Sequence, residues 1–239
     1  MKICFVNYCY SRHPGTNTIW EGRRALQVED AKRHGATEIR SWNETLLHGT
    51  VFYQLHQEAF EDLRYAGLAM WRPYIIFQTL LDTKCDVVMY LDCDLRIVNS
   101  LENFTKYVIE QDVVAVGSPW LNGQFTRREV LIRMDVDTPE YYNLQQLYGG
   151  LLAFKKSELS LKFLFDWHTI ATEEGMFALD RDRLAPEHPG FYEPREQGCL
   201  TILYHQYGFK QYPLNMIDIT NLQELGGATL VGYVVEKME

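Results

Sequence analysis

Three pairs of aspartates share the spacing Asp-x-Asp, which allows two carboxylates to reach one divalent cation. The pairs are Asp92/Asp94, Asp135/Asp137 and Asp180/Asp182. On extended backbone, side chains at positions i and i+2 point to the same side, so both carboxylates can approach one ion. Their hard oxygen atoms suit Mg²⁺ or Mn²⁺, which also bind diphosphate oxygens. The spacing alone therefore predicts a metal site without choosing among the three pairs.

The first pair is distinguished by the residues that precede it. Residues 86–91 form a nearly continuous β-prone apolar run, typical of a strand buried on both faces of a parallel sheet, and Asp92 follows its last residue. Open α/β sheets bind ligands beyond the carboxyl ends of their strands. The second pair lies in a polar turn and the third in an arginine-rich loop. We predict that Asp92 and Asp94 bind Mn²⁺ or Mg²⁺, which would neutralise a departing diphosphate.

The elements around this strand alternate between strands and helices. The pattern predicts strands at residues 2–10, 37–42, 86–91, 112–116, 149–154 and 232–235, and helices at residues 16–34, 51–64, 73–81, 157–172 and 196–206. The helix at 157–172 places Leu161, Phe165 and His168 on one side. This alternation predicts one α/β domain over residues 1–239, with a mostly parallel central sheet flanked by helices.

Composition limits the classes of partner and compartment. The net charge of −9 argues against a general binder of nucleic acids or anionic membranes. No stretch approaches the roughly 20 apolar residues that a membrane span needs, so we expect a soluble chain or one domain of a longer protein. Five cysteines form no CxxC pair. Cys4, Cys93 and Cys199 lie in apolar runs and are expected to behave as small hydrophobes, which favours a cytoplasmic, reducing location.

Other catalytic motifs are absent from the sequence. It contains no GxxxxGK loop, no GxGxxG after a strand, no HExxH and no GxSxG, and its seven histidines show no ligand spacing. Phosphatases of the haloacid dehalogenase type also end a strand with Asp-x-Asp. Their pattern has Thr or Val two residues after the second Asp, where this chain has Arg96. That alternative is therefore the less favoured one.

Three blocks of sequence together resemble the nucleotide-sugar glycosyltransferases of the GT-A fold, most closely glycosyltransferase family 8, which includes glycogenin and lipopolysaccharide galactosyltransferases. The blocks are residues 67–76 (GLAMWRPYII), residues 87–94 (VVMYLDCD), and residues 149–156 (GGLLAFKK) followed by 196–203 (EQGCLTIL). Their spacing covers most of the chain, and the block that ends in Asp94 is the most specific. The resemblance implies a GT-A, Rossmann-like fold.

The resemblance also implies roles for residues around the donor sugar. Arg72 would contact the donor, and Gly149 and Gly150 would let the sugar approach the backbone closely. Glu196 and Gln197 stand where family members have Asp-Gln beside the anomeric carbon. The alternatives are a surface salt bridge for Arg72, a tight turn into a strand for the two glycines, and helix capping for Glu196.

Further residues complete the implied donor site. Arg127 and Arg128 are candidates for the diphosphate, and Tyr8 is placed to stack on the nucleobase. Family 8 enzymes usually supply a third metal ligand from a C-terminal His-x-x-Gly-x-Lys-Pro segment, but no histidine follows Pro213 here. Another protein group or solvent would then complete the coordination, or the chain belongs to a related family.

The sequence therefore predicts a transferase that moves a sugar from a nucleoside diphosphate sugar, expected to be a UDP-sugar, to a glycan or other hydroxyl acceptor. Retention of anomeric configuration is slightly favoured, and Glu196 is the better carboxylate if a nucleophile is used. An inverting enzyme would need a carboxylate acting as a base on the acceptor. The alternative from another class is a non-catalytic nucleotide-sugar-binding domain of the same fold.

Overall fold

A six-stranded sheet forms the centre of the protein. The computed structural model describes residues 1–9, 17–61, 69–173, 186, 188–190, 196–213 and 220–222. The strands are β1 (Ile3–Tyr8), β2 (Glu38–Trp42), β3 (Val87–Leu91), β4 (Leu95–Ile97), β5 (Val113–Leu121), β6 (Gln145–Lys155), β7 (Tyr212–Pro213) and β8 (Thr220–Leu222). The central sheet has the order β2-β1-β3-β6-β5-β7, and β4 pairs with β8 separately. Only β6 runs antiparallel to its neighbours in the central sheet, which confirms the mostly parallel architecture.

Helices connect these strands over the described ranges. They are α1 (Asn17–Arg33), α2 (Glu44–His48), α3 (Val51–Leu55), α4 (Gln57–Glu61), α5 (Trp71–Asp82), α6 (Glu102–Gln111), α7 (Asn122–Phe125), α8 (Arg128–Arg133), α9 (Pro139–Tyr142), α10 (Glu158–Thr172) and α11 (Gln197–Gln206). The stop predicted for α1 is confirmed, since Gly35 has a φ of 107° that side chains rarely adopt. No helix in the described ranges is both long and apolar enough to cross a bilayer.

The alternation of side chains along β3 divides the core into two layers. Val88 and Tyr90 face a layer that includes residues of α5, α10 and α11, whereas Val87, Met89 and Leu91 face a layer with residues of α1 and α6. All five side chains are at most 1% exposed. Because β3 is covered on both sides, its sequence is continuously apolar, and its first solvent-accessible position is the one that follows Leu91.

Several predicted boundaries differ from the structure. The helix predicted at residues 51–64 is divided into the short helices α3 and α4 as far as Glu61, because His56 leaves the helical conformation between them. Strand β6 begins at Gln145, four residues earlier than predicted. The alternative that Gly149 and Gly150 form a tight turn into a strand is therefore wrong, because both lie within β6. The strand predicted at residues 232–235 lies outside the described residues.

The buried face of α10 also differs from the prediction. The helix buries Ser160, Phe163, Leu164, Trp167 and Ala171. By contrast, Phe165 is 55% exposed. Two apolar series overlap in this helix at helical spacing, and the helix turns the one containing Trp167 towards the sheet.

One histidine of α10 lies against an aromatic cluster. The ring centre of His168 lies 5.5 Å from that of Phe52 and 5.8 Å from that of Tyr74. Burial, with a smaller contribution from His56, lowers the pKa of His168 to about 4. Burial also lowers the pKa of His56, whose ring centre lies 5.1 Å from that of Phe52. The cluster therefore holds both imidazoles in their neutral form near pH 7.

The first prediction concerns acid stability. Because the folded-state pKa of His168 is depressed, its contribution to stability is present above about pH 6.5 and is lost as the pH falls towards 4. We expect His168→Phe to flatten the decrease in the free energy of unfolding between these values, by at most about 1.4 kcal/mol per pH unit. The measurement is urea unfolding at a series of pH values. His205→Gln, at an exposed position on α11, is the control, and an unchanged slope in His168→Phe would contradict the interpretation.

Candidate functional site

Asp92 follows the last residue of β3, and its side chain contacts the residues on one face of that strand. The period of two along a strand places Asp92 on the same side as Tyr90, whose hydroxyl donates a hydrogen bond to Asp92 Oδ1. Arg72, in the first turn of α5, donates from Nη2 to both carboxylate oxygens at 3.1 and 3.3 Å. The Asp92 side chain remains 27% exposed. It is thus oriented by protein groups on one side and open on the other.

Arg72 is a buried cation between two carboxylates. Its Nη2 faces Asp92, and its Nη1 forms an ion pair with Glu196 Oε1. The side chains of Arg72 and Glu196 are 7% and 2% exposed. Burial alone would lower the pKa of Arg72, but the charge of Asp92 raises it above its usual value. The surface-salt-bridge alternative for Arg72 is therefore wrong, because this pairing lies inside the protein.

The Asp-Cys-Asp triplet forms a turn and is not an extended segment. The backbone N–H of Leu95 donates to the carbonyl of Asp92 at 3.1 Å, which closes a four-residue turn between β3 and β4. The premise that extended backbone aligns the two carboxylates is therefore wrong. The charges of both carboxylates still act on one group: burial, and then the charges of Asp94 and Asp92, raise the pKa of Tyr148 of β6 well above its usual value.

The two glycines of β6 make room for protein side chains. A Cβ on Gly149 would lie 2.9 Å from Arg72 Nη1 and 2.9 Å from Gln197 Cγ. A Cβ on Gly150 would lie 2.6 Å from the hydroxyl oxygen of Tyr148. The carbonyl of Gly150 also accepts a hydrogen bond from the backbone N–H of Asp92 at 2.9 Å. The missing side chain of Gly149 therefore allows α5 and α11 to meet at β6, and that of Gly150 leaves room for the ring of Tyr148.

The start of α11 is fixed against the same strand. Gln197 Nε2 donates to the carbonyl of Leu147 at 3.2 Å, and Thr201 Oγ1 accepts from the backbone N–H of Leu147 at 3.0 Å. Glu196 precedes the helix but makes no side-chain capping bond. The capping alternative for Glu196 is therefore wrong, and its carboxylate is used by Arg72. Gln197 remains half-buried, so of this pair it is the side chain with an accessible part.

Tyr8 lies close to this centre but is packed within the core. Its ring centre lies 4.3 Å from that of Trp71, which begins α5, and the residue is 4% exposed. Trp71 in turn lies 6.3 Å from the ring of Tyr90. The described packing therefore gives Tyr8 a role in supporting α5. Stacking of Tyr8 on a nucleobase remains a prediction.

The two neighbouring arginines have different surroundings. Arg127 is 4% exposed and lies 3.4 Å from Glu129, whereas Arg128 contacts Asp137 at 3.0 Å and is partly exposed. Hydrogen bonds from Arg128 lower the pKa of Asp137. This pairing gives Asp137 a structural role, in line with the choice of the first Asp-x-Asp pair. The diphosphate role of Arg127 and Arg128 remains a prediction, and the Asp180/Asp182 pair lies outside the described residues.

A buried amide network that sequence patterns did not reveal holds the turn from behind. Gln27 of α1 donates from Nε2 to the carbonyls of Asp92 and Leu95, at 2.6 and 2.9 Å. Its Oε1 accepts from Asn7 Nδ2 at 2.9 Å, and Asn7 Oδ1 accepts from Ser41 Oγ at 2.7 Å. Gln27 and Asn7 are fully buried. One side chain thus fixes the carbonyl of the first residue of the triplet and that of the residue that follows the triplet.

The cysteine in the triplet is also tied to the sheet. Cys93 forms a disulfide with Cys9, and the two Cα atoms are 5.7 Å apart. The expectation that Cys93 is a free apolar thiol is therefore wrong, because the fold places the ends of β1 and β3 side by side. Cys4 and Cys199 are buried and free, as expected for small hydrophobes, and Cys85 is also buried and free. The cytoplasmic location remains a prediction.

Comparison with known proteins gives similarities to solved structures. No family model matches the chain, and no curated protein matches its sequence. It is similar to mouse xyloside xylosyltransferase 1 in its apo form, with a TM-score of 0.45, 11% identity, and coverage of 89% of this chain and 84% of that one. It is also similar to a glycosyltransferase involved in the glycosylation of the major capsid of PBCV-1, with a TM-score of 0.44, 14% identity, and coverage of 89% and 81%.

The second prediction concerns the buried Arg72–Glu196 pair. Glu196→Ala would leave Arg72 Nη1 without its carboxylate, and breaking a buried pair in this way typically costs about 3–5 kcal/mol. Glu196→Gln keeps an acceptor oxygen, so we expect a smaller loss of about 1–3 kcal/mol. The free energy of unfolding in denaturant measures both. Glu173→Gln, which removes an exposed pair with Arg133, should cost less than about 1 kcal/mol, and equal losses in all three variants would contradict the buried pairing.

Proposed function

We propose that this protein is a metal-dependent glycosyltransferase that uses a nucleoside diphosphate sugar, with a UDP-sugar as the expected donor. The observation that carries the proposal is the position of Asp92 and Asp94 at the carboxyl end of β3, where Asp92 contacts the buried Arg72–Glu196 pair. Carboxyl ends of strands are where open α/β sheets bind ligands. The acceptor would be a glycan or another hydroxyl compound.

The chemistry of the two carboxylates fits a hard divalent cation. Mg²⁺ is usually held by one or two carboxylates together with water and substrate phosphates. We propose Asp92 and Asp94 as the protein ligands of such an ion. Within the described ranges, no cluster of three or more His, Cys, Asp or Glu side chains forms a metal site. A Mn²⁺ or Mg²⁺ ion bound there would neutralise charge on the leaving diphosphate.

The protein groups around the carboxylates would act mainly by positioning. Arg72 and Tyr90 orient Asp92, and Glu196 pairs with the other terminal nitrogen of the Arg72 guanidinium. A carboxylate that is 2% exposed and paired with a guanidinium is poorly placed to attack a sugar, so we propose a positioning role for Glu196. Gln197 and the adjoining backbone of Gly149 would then face the donor sugar. Retention of configuration stays an expectation from the resemblance.

A non-catalytic nucleotide-sugar-binding domain is the alternative that shares this geometry. It would bind the donor through the same turn but would release no sugar. The phosphatase alternative is weakened further, because Arg96 pairs with the buried Asp30 and so has a structural role at the position that distinguishes the two patterns. Turnover measured alongside binding separates the remaining two possibilities.

The third prediction tests the proposed metal ligands. We expect Asp94→Ala to weaken Mn²⁺-dependent binding of UDP-sugars by at least about 100-fold, because one of two carboxylate ligands is removed. Isothermal titration calorimetry of a panel of UDP- and GDP-sugars, with and without Mn²⁺, measures the effect. Asp135→Asn is the matched control from the second Asp-x-Asp pair, since Asp135 is exposed and its φ of 57° is tolerated by Asn.

The outcomes divide the alternatives clearly. Mn²⁺-dependent binding with sugar transfer or donor hydrolysis supports the transferase, and binding without turnover supports the binding domain. If Asp94→Ala binds the donor in Mn²⁺ as tightly as the wild type and the Asp135→Asn control, the triplet is structural and the proposed metal site is wrong.

A further inference from the structure

The disulfide between Cys9 and Cys93 links the chain segments that follow the carboxyl ends of β1 and β3. The parallel register of these strands ends with Val6 opposite Tyr90. Cys9 and Cys93 each lie three residues further along the chain, beyond the carboxyl ends of β1 and β3, and the disulfide joins them there. They are separated by 84 residues in sequence. The bond thus holds the turn where backbone hydrogen bonds between the two strands have ended.

The disulfide and Gln27 fix different parts of the same turn. Gln27 holds the carbonyls of Asp92 and Leu95 by hydrogen bonds, whereas the disulfide holds the residue between the two aspartates. Both cysteines are 7% exposed, so the bond lies just below the surface that carries the carboxylates. Rotation of the turn about its two ends would move Asp94 relative to Asp92, and the bond at Cys93 opposes that rotation.

The reduced form has a place for its thiol. Cys93 Sγ lies 3.3 Å from the carbonyl oxygen of Tyr8, which a free thiol could use as an acceptor. Breaking the disulfide would therefore leave the Cys93 sulfur satisfied and the Gln27 bonds intact. Loss of the covalent link should loosen the triplet without removing the turn.

We propose that Cys9 and Cys93 are positioning residues, whose disulfide holds Asp92 and Asp94 in the arrangement that binds the metal and its donor, and whose reduction weakens that binding. The inference rests on the proposed function. In the reaction, a thiolate of a dithiol attacks one sulfur of the disulfide, which releases one cysteine and forms a mixed disulfide with the other. The second thiol of the reductant then attacks the mixed disulfide and releases the second cysteine. Two electrons and two protons end on Cys9 and Cys93 as thiols, and the dithiol is oxidised to its disulfide.

The test compares oxidised and dithiol-reduced wild type with the variants Cys9→Ser and Cys85→Ser. Thiol titration of the denatured protein should give three free cysteines before reduction and five after it. We expect reduction, or Cys9→Ser, to weaken Mn²⁺-dependent binding of UDP-sugar about tenfold, and reoxidation to restore it. Cys85→Ser removes a buried cysteine that precedes β3, at its opposite end, so it should bind as the wild type does and keep its sensitivity to the dithiol.

Three further measurements separate positioning from general unfolding. Reduction should raise the KM for the Mn²⁺–donor complex and change kcat little. Excess Mn²⁺ should therefore restore the donor turnover of the reduced protein. Gln27→Leu should also weaken donor binding. Its loss of affinity relative to the wild type should be the same in the oxidised and in the reduced protein. A circular dichroism spectrum that is unchanged by reduction shows that the fold is retained, and reoxidation of the wild type gives the same comparison if Cys9→Ser does not fold.

Three results would overturn the inference. Five thiols in the oxidised protein would show that the link does not form. Equal donor affinity before and after a verified reduction would show that the link does not position the carboxylates, while leaving the proposed function intact. Absence of Mn²⁺-dependent donor binding in oxidised wild type and in Cys85→Ser would reject the proposed function and the inference together.

Discussion

The charge of Arg72 is the constraint on which the centre of this structure depends. A buried guanidinium is costly unless carboxylates match it, and here Asp92 and Glu196 each face one of its terminal nitrogens. These residues belong to α5, to the end of β3 and to the start of α11. Gly149 must lack a side chain, because its Cβ would lie 2.9 Å from Arg72 Nη1. One charge therefore determines how closely four distant segments approach.

The turn that carries the aspartates depends on residues far from it in sequence. Gln27 binds its backbone from α1, and Asn7 and Ser41 keep the amide of Gln27 in one orientation from β1 and β2. An amide that is fixed in this way offers donors to the two carbonyls of the turn, which could not hydrogen-bond to each other. Half-buried carboxylates are thus supported by a buried polar network, which explains how a short turn can hold two like charges together.

Sequence patterns predicted the elements whose signal is local. The run before Asp92 identified β3, because burial on both faces leaves a continuous apolar run. Helical spacing identified α10, because burial on one face leaves a periodic trace, and Gly35 marked the end of α1. Strand β6 begins with Gln145 and Gln146, and only Leu147 and Tyr148 stand between them and Gly149. No continuous apolar run therefore marked the start of β6, and it was missed. Tyr90 could have been found, since the period of two along β3 places it beside Asp92.

Other features of the site depend on which strands are neighbours, and no local pattern contains that information. The Cys9–Cys93 bond exists because β1 and β3 are adjacent and parallel, and five cysteines without motif spacing give no indication of it. Gln27 lies among ordinary helical residues and becomes significant only when α1 packs behind the turn. The geometry of the triplet was mistaken for the same reason, since its turn is fixed by these tertiary contacts.

The formal charges at the centre also bear on its chemistry. Asp92, Asp94 and Glu196 contribute three negative charges and Arg72 one positive charge, which leaves a formal charge of −2. Glu196 is therefore more than a partner for Arg72: without it, the guanidinium would neutralise Asp92 and leave only one net negative charge for a cation. With Glu196 present, the two aspartates keep a charge that a single divalent ion balances, even though Arg72 touches one of them. The pair of Arg72 and Glu196 can thus orient Asp92, the proposed metal ligand, without cancelling the charge available to a cation.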